Sequence, residues 1–129
     1  MAPAPSHPHL QLHVRVDGRH PGCVVVVLDG EVDLQTVDQL SAALETQLAR
    51  KPALLIVDLS AVGFLGAAGL SALLDASRAG LDHGTELRLV AGRRRVVRRI
   101  VDLCGLTTAL PVYRDVTEAV VPSPTDTAG

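Results

Sequence analysis

The sequence predicts an α/β domain, with a mixed, mostly parallel sheet of four or five strands, an N-terminal antiparallel hairpin and three or four helices. Three observations carry that expectation. Short apolar runs alternate with amphipathic stretches along most of the chain. The first two strand-like segments are joined by turn chemistry alone, which suits an antiparallel pair. Apolar residues make up 47% of the 129 residues while aromatics make up 2%, so the core must be aliphatic, as in parallel strands packed under helices.

Each element follows from its local pattern. Leu10-Gln-Leu-His-Val-Arg-Val16 alternates apolar and polar, the mark of a strand with one wet face. Asp17-Gly-Arg-His-Pro-Gly22 is a turn, and Cys23 to Leu28 is a β-branched run expected to be buried on both faces. Asp33-Leu-Gln-Thr36 offers helix caps, and Val37, Leu40, Leu44 and Leu48 then recur at helical spacing until Pro52. Ala53 to Val57 reads as a strand ending at Asp58, and Gly63-Phe-Leu-Gly66 as a loop. Ala67 to Leu81 reads as a second helix with Leu70, Leu73, Leu74 and Leu81 on its buried face. Gly84 ends it, and Thr85 to Val90 is a further strand. A third helix is expected from Arg93 to Leu103, burying Val97, Ile100, Val101 and Cys104 and closed by Gly105. A short strand near Leu110 to Tyr113 and a short helix from Val116 to Val121 complete the order. The folded domain is expected over residues 9–121, between a Pro-rich arm at 1–8 and a Pro/Ser/Thr-rich tail at 122–129, both expected to be disordered.

Composition excludes several functions. A net charge of −2 gives no bulk attraction to nucleic acid. No apolar run reaches the roughly 18 residues a membrane span needs, and the N-terminus lacks the charged and apolar regions of a secretory signal. Two cysteines are too few for a disulfide framework, which points to a reducing, cytoplasmic compartment. No Ser-His-Asp set, metal set or P-loop is present, so neither an enzyme nor a cofactor is expected.

Three segments resemble the STAS domain family of anti-sigma-factor antagonists. Leu28-Asp-Gly-Glu-Val-Asp33 is similar to its "L-x-G-E-L-D" turn. Ile56-Val-Asp-Leu-Ser-Ala-Val-Gly-Phe-Leu-Gly-Ala-Ala-Gly-Leu70 resembles its signature "V-D-L-S-x-V-x-F-[ILM]-D-S-[ST]-G-L". Ile100-Val-Asp-Leu-Cys-Gly-Leu106 is similar to its "L-x-x-x-G-L". The resemblance implies a non-enzymatic regulator of transcription. It would bind an anti-sigma factor with a kinase-like ATPase fold through Asp33, Gly66, Ala67, Ala68, Gly69 and Leu70, and so free a sigma factor. In regulated members the "D-S" serine is phosphorylated by the partner. Here Gly66 stands at the acidic position and Ala67 at the serine position, and alanine has no hydroxyl to accept a phosphoryl group. Such a helix N-terminus, with its free N–H groups, suits a phosphate or an acidic group. The same Gly66–Gly69 stretch equally reads as a compact turn that lets the helix pack closely. Two further functions fit the resemblance: a small subunit docking on the ATPase of a lipid-importing transporter, and a scaffold in a larger STAS assembly. A weak homodimer also stays open.

The remaining polar residues have plainer readings. Asp33 is a partner contact, a helix cap or both. Asp58 is a turn residue rather than a catalytic acid, since no base is paired with it. Ser60, Ser71 and Ser77 are alternative phosphate acceptors or ordinary helix and loop residues. Arg93, Arg94, Arg95, Arg98 and Arg99 form a basic helix face, solvated by default. His7, His9 and His13 lack a completing carboxylate or thiol for a metal. Cys23 and Cys104 are expected to be buried core thiols, with a redox pair as the alternative.

Overall fold

The computed structural model describes residues 11–92, 95–106 and 109–120, so the expected arm and tail, and Arg93 and Arg94, lie outside the described residues. Five strands form one sheet in sequence order: β1 (Leu12–His20), β2 (Cys23–Val32), β3 (Leu54–Leu65), β4 (Glu86–Val90) and β5 (Val112–Tyr113). β1 and β2 are antiparallel, and every later neighbour is parallel. Four helices connect or follow them: α1 (Val37–Leu48), α2 (Ala67–Asp82), α3 (Arg95–Leu103) and α4 (Val116–Ala119).

The strand order dictates the layers. Each parallel crossover steps to the next strand in the same direction, and crossovers share one hand, so α1, α2 and α3 fall on one face. That face holds the main core, where Leu28, Leu55, Val57 and Leu89 of the sheet meet Leu40, Leu44, Leu73, Val97 and Val101 of the helices. The opposite face is covered by α4, over a smaller cluster of Cys23, Val25, Ile56, Val90 and Ala119. Arg88 projects to this second face, between Leu87 and Leu89 of the first, and is 2% exposed. Its guanidinium donates to the Glu86 carboxylate and, at 2.7 Å, to the Ala119 carbonyl, and it lies 5.4 Å from the Tyr113 ring centre.

Several expectations need correction. β2 and β3 run well past Leu28 and Val57, so Asp58 is inside β3 and Gly63 to Leu65 is strand, not loop. The reason is two irregularities in the β2–β3 register. Val27 and Asp29 oppose Asp58 and Ala61, and Gly30 and Glu31 oppose Val62 and Phe64, so each time β3 carries one extra residue. Asp58 holds the first bulge by accepting from the Ser60 N–H at 2.9 Å and the Ser60 hydroxyl at 2.6 Å. Leu81 is 72% exposed, because the last turn of α2 points Gly80 inward, against Thr85 and Leu48, and leaves Leu81 outside. Cys104 is exposed, since it lies just past α3 where the chain turns out at Gly105. That turn is the expected glycine-closed helix end: Gly105 has φ 69°, its N–H donates to Asp102 and the Leu106 N–H to Val101.

Candidate functional site

The carboxyl ends of β2 and β3 lie side by side, with Val32 paired to Leu65. From there β2 leads into α1 through Asp33–Thr36, and β3 leads into α2 through Gly66. The two exits are tied together, because the Gly66 N–H donates to the Val32 carbonyl at 2.8 Å. Asp33 and Gly66, distant in sequence, thus meet at one corner. A Cβ added to Gly66 would stand 3.3 Å from the Asp33 Oδ1 and 3.2 Å from the Phe64 ring.

Asp33 does not cap α1. The capping position is Thr36, and even its hydroxyl turns away from the helix, accepting from the Asp33 N–H at 3.0 Å and donating to the Glu31 carbonyl at 2.8 Å. The Asp33 carbonyl accepts from both the Thr36 and Val37 N–H groups. The Asp33 side chain is left facing the Gly66 corner.

The start of α2 contrasts with that of α4. At α4, Asp115 accepts from the Glu118 N–H at 2.8 Å. At α2, the capping residue is Gly66, with no side chain to close the first turn and no acidic residue within that turn. The first-turn N–H groups and the positive end of the helix dipole therefore stay uncompensated by any side chain of α2 itself. Ala67 is exposed and Ala68 half-buried, whereas Gly69 and Leu70 are buried. Gly69 is there for packing: an added Cβ would fall 2.5 Å from Val32 Cγ1 and 2.7 Å from Leu65 Cδ1. The stretch is thus a compact turn and an exposed helix start at once.

The structure brings together Asp33, Gly66, Ala67 and Ala68, and it adds Leu34 and Phe64, exposed by 77% and 48%. The residue patterns gave no sign of these two. Phe64 follows the second β3 bulge, where Gly63 and Phe64 are exposed in succession and the strand alternation is broken. The available signals were that Phe64 is the chain's single Phe, lies in the stretch Gly63-Phe-Leu-Gly66 and falls on the aromatic position of the family signature.

Other singled-out residues lie elsewhere. Ser60 is engaged with Asp58, Ser71 is exposed on α2, and Ser77 is buried and donates to the Ala109 carbonyl at 3.0 Å. Arg98 and Arg99 are exposed on α3. His13 is exposed on β1, and no group of three metal-ligating side chains occurs among the described residues. Cys23 is buried, and its desolvation pushes the thiol pKa up, against the nearby positive charge of Arg88 and with the negative charge of Asp17. No helix among the described residues is long and apolar enough to cross a membrane.

Fold and site together define a small α/β domain whose distinctive exposed groups gather at one helix start rather than around a set of reactive side chains. The chain belongs to the STAS domain family, whose family model matches residues 16–119. It is 35% identical over 101 residues to the anti-sigma-F factor antagonist RsfB of Mycobacterium tuberculosis, which spans 78% of this chain and 81% of that protein. A crystal structure of an anti-sigma factor antagonist from Mycobacterium paratuberculosis matches with a TM-score of 0.74 at 33% identity, covering 85% of this chain and 92% of that one. SpoIIAA in its unphosphorylated form matches with a TM-score of 0.70 at 20% identity, over 84% and 93% of the two chains, a likeness of fold alone. The protein is an anti-sigma-factor-antagonist-like, non-enzymatic STAS protein.

Proposed function

We propose that this protein binds an anti-sigma factor with a kinase-like ATPase fold and thereby frees a sigma factor. Its contact surface would be the corner formed by Asp33, Gly66, Ala67 and Ala68. Gly69 and Leu70 act from beneath, seating α2 against Val32 and Leu65 so that Ala67 stands at the surface. The observation that carries the reading is the exposed, uncapped start of α2 beside the Asp33 carboxylate, in a chain related to proteins named as antagonists.

Ala67 occupies the position where the family resemblance implies a phosphorylated serine. Lacking a hydroxyl, it would keep this corner permanently neutral and competent to bind. Partner occupancy would then be governed by the amount of protein rather than by a phosphate.

Ala67→Glu tests the reading. An anion at a helix N-terminus is favourable by about 0.3–1 kcal/mol, and Ala67 is exposed, so folding should survive. Binding should weaken about tenfold or more, because the new carboxylate must be desolvated against the partner without a matching group. Arg99→Glu, on the exposed side of α3, serves as the control. Calorimetric titration with the anti-sigma factor, alongside thermal melting, reads both quantities. Wild-type affinity in a normally melting Ala67→Glu protein would move the functional surface elsewhere.

A further inference from the structure

The large apolar side chains left in water are unevenly placed. Among the described residues, Val16 lies on the first strand, Leu81 in the last turn of α2 and Leu103 at the end of α3, all away from the corner where Val32 pairs with Leu65. Leu34 and Phe64 are different. Phe64 lies against Gly66, the same glycine that Asp33 faces, and Leu34 adjoins Asp33 in the loop. Isolated exposed leucines are ordinary, but two large apolar groups brought to one corner from separate strand ends are not.

The rest of that corner offers little to bind with. Ala67 presents a methyl group, Gly66 none, and Gly69 and Leu70 are buried. Stable interfaces draw most of their energy from a few large side chains near the centre, aromatic ones above all. Around the pair the charge is negative. Glu31 is paired in register with Phe64, Asp33 lies beside it, and among the described residues neither acid has a salt-bridge partner.

We infer that Phe64 and Leu34 are the apolar anchor by which this chain holds its protein partner, and that the partner offers an apolar pocket rimmed by positive charge. The inference rests on reading this corner as the anti-sigma-factor interface. It deepens that reading by placing the binding energy on Phe64 and Leu34 rather than on the helix start. The bulge at Val62–Phe64 gives the ring its direction, and Gly66 gives it room to lie against the backbone.

The test titrates each purified kinase-fold anti-sigma factor of the source organism with wild type, Phe64→Ala, Leu34→Ser and Leu81→Ala. For the factor that binds wild type, Phe64→Ala should weaken affinity at least about 30-fold and Leu34→Ser about tenfold, while Leu81→Ala stays within about twofold. Wild-type affinity should also fall as salt rises, from the acidic rim. Leu34 is exposed enough that its replacement cannot unfold the protein, so the test holds even if Phe64→Ala melts low. Unchanged affinity in both Phe64→Ala and Leu34→Ser overturns the anchor and leaves the antagonist reading standing. If no anti-sigma factor binds wild type, the antagonist reading falls and the anchor with it. If sedimentation shows a wild-type dimer that Phe64→Ala dissolves, with anti-sigma affinity unchanged, the patch is a self-association face and the inference is overturned.

Discussion

The two faces of this sheet are covered by different physics. Under α1, α2 and α3 the core contacts are mainly aliphatic, with Gln47 and Ser77 buried among the helix residues, and the helices are long enough to close over them. Under α4 a single helical turn must do the covering. There the sheet presents Arg88, whose guanidinium reaches across to a carbonyl of that turn and lies by Tyr113. A one-turn helix buries too little apolar area to dock by itself. A charge-assisted hydrogen bond to the end of α4, where the dipole is negative, supplies a directional tie instead. The lesson is that a short element can be fixed by one specific bond where a long one is fixed by area.

The largest effect expected from that contrast is on the three-helix face. Leu73→Ala opens a void at a side chain with no solvent exposure, and should cost about 2–5 kcal/mol in denaturant unfolding. A loss below 1 kcal/mol would mean that this face is not packed as described. On the other face, Arg88→Met keeps apolar volume but leaves the buried Ala119 carbonyl without its donor, at a cost of about 1–3 kcal/mol. Hydrogen exchange should then speed up at the Val116–Ala119 amides before any other. If Arg88→Met is instead stabilising, as buried ion pairs replaced by apolar groups can be, the second face is an ordinary apolar contact and the contrast fails.

The smallest effect concerns Cys23, on the Arg88 side. Its thiol pKa is raised in the folded state, so folding favours the protonated form. The contribution is fully present below the unfolded value of 9.0 and is lost as pH rises through the higher folded value. Wild type should therefore lose slightly more stability than Cys23→Ala as pH rises above 9.0, as read from urea midpoints. In native labelling, Cys104 should react fast and Cys23 slowly, and equal rates would contradict the burial of the second face.

The order of elements was legible because it rests on local signals. The hairpin turn, the spacing of Leu40, Leu44 and Leu48, and the closing Gly105 each depend on a few neighbouring residues. What escaped depends on partners far away in the chain. Asp58, Ser60 and Gly63 look like loop residues, and only the pairing of β3 with β2 makes them bulged strand. Leu81 has the spacing of a core residue, yet the turn that carries it buries Gly80 instead, against Leu48 and Thr85. Arg88 lies in a strand whose pattern gives no hint that α4 will cover it. The helix start at Gly66 and Ala67 was legible through family resemblance, and Asp33 with it. Phe64 and Leu34 were not, because their exposure follows from the bulge and from the loop that Thr36 organises.

That last feature has a kinetic side. The Thr36 hydroxyl donates to the Glu31 carbonyl and accepts from the Asp33 N–H, and the Asp33 carbonyl holds two amides of the same turn. The segment bearing Asp33 and Leu34 is therefore already in one shape before anything arrives. A partner landing here has no loop to order, so little of its encounter is wasted on waiting for a rare conformer. Association should run at the pace set by orientation and charge, and the lifetime of the complex, rather than the speed of its formation, should be what substitutions in this corner change.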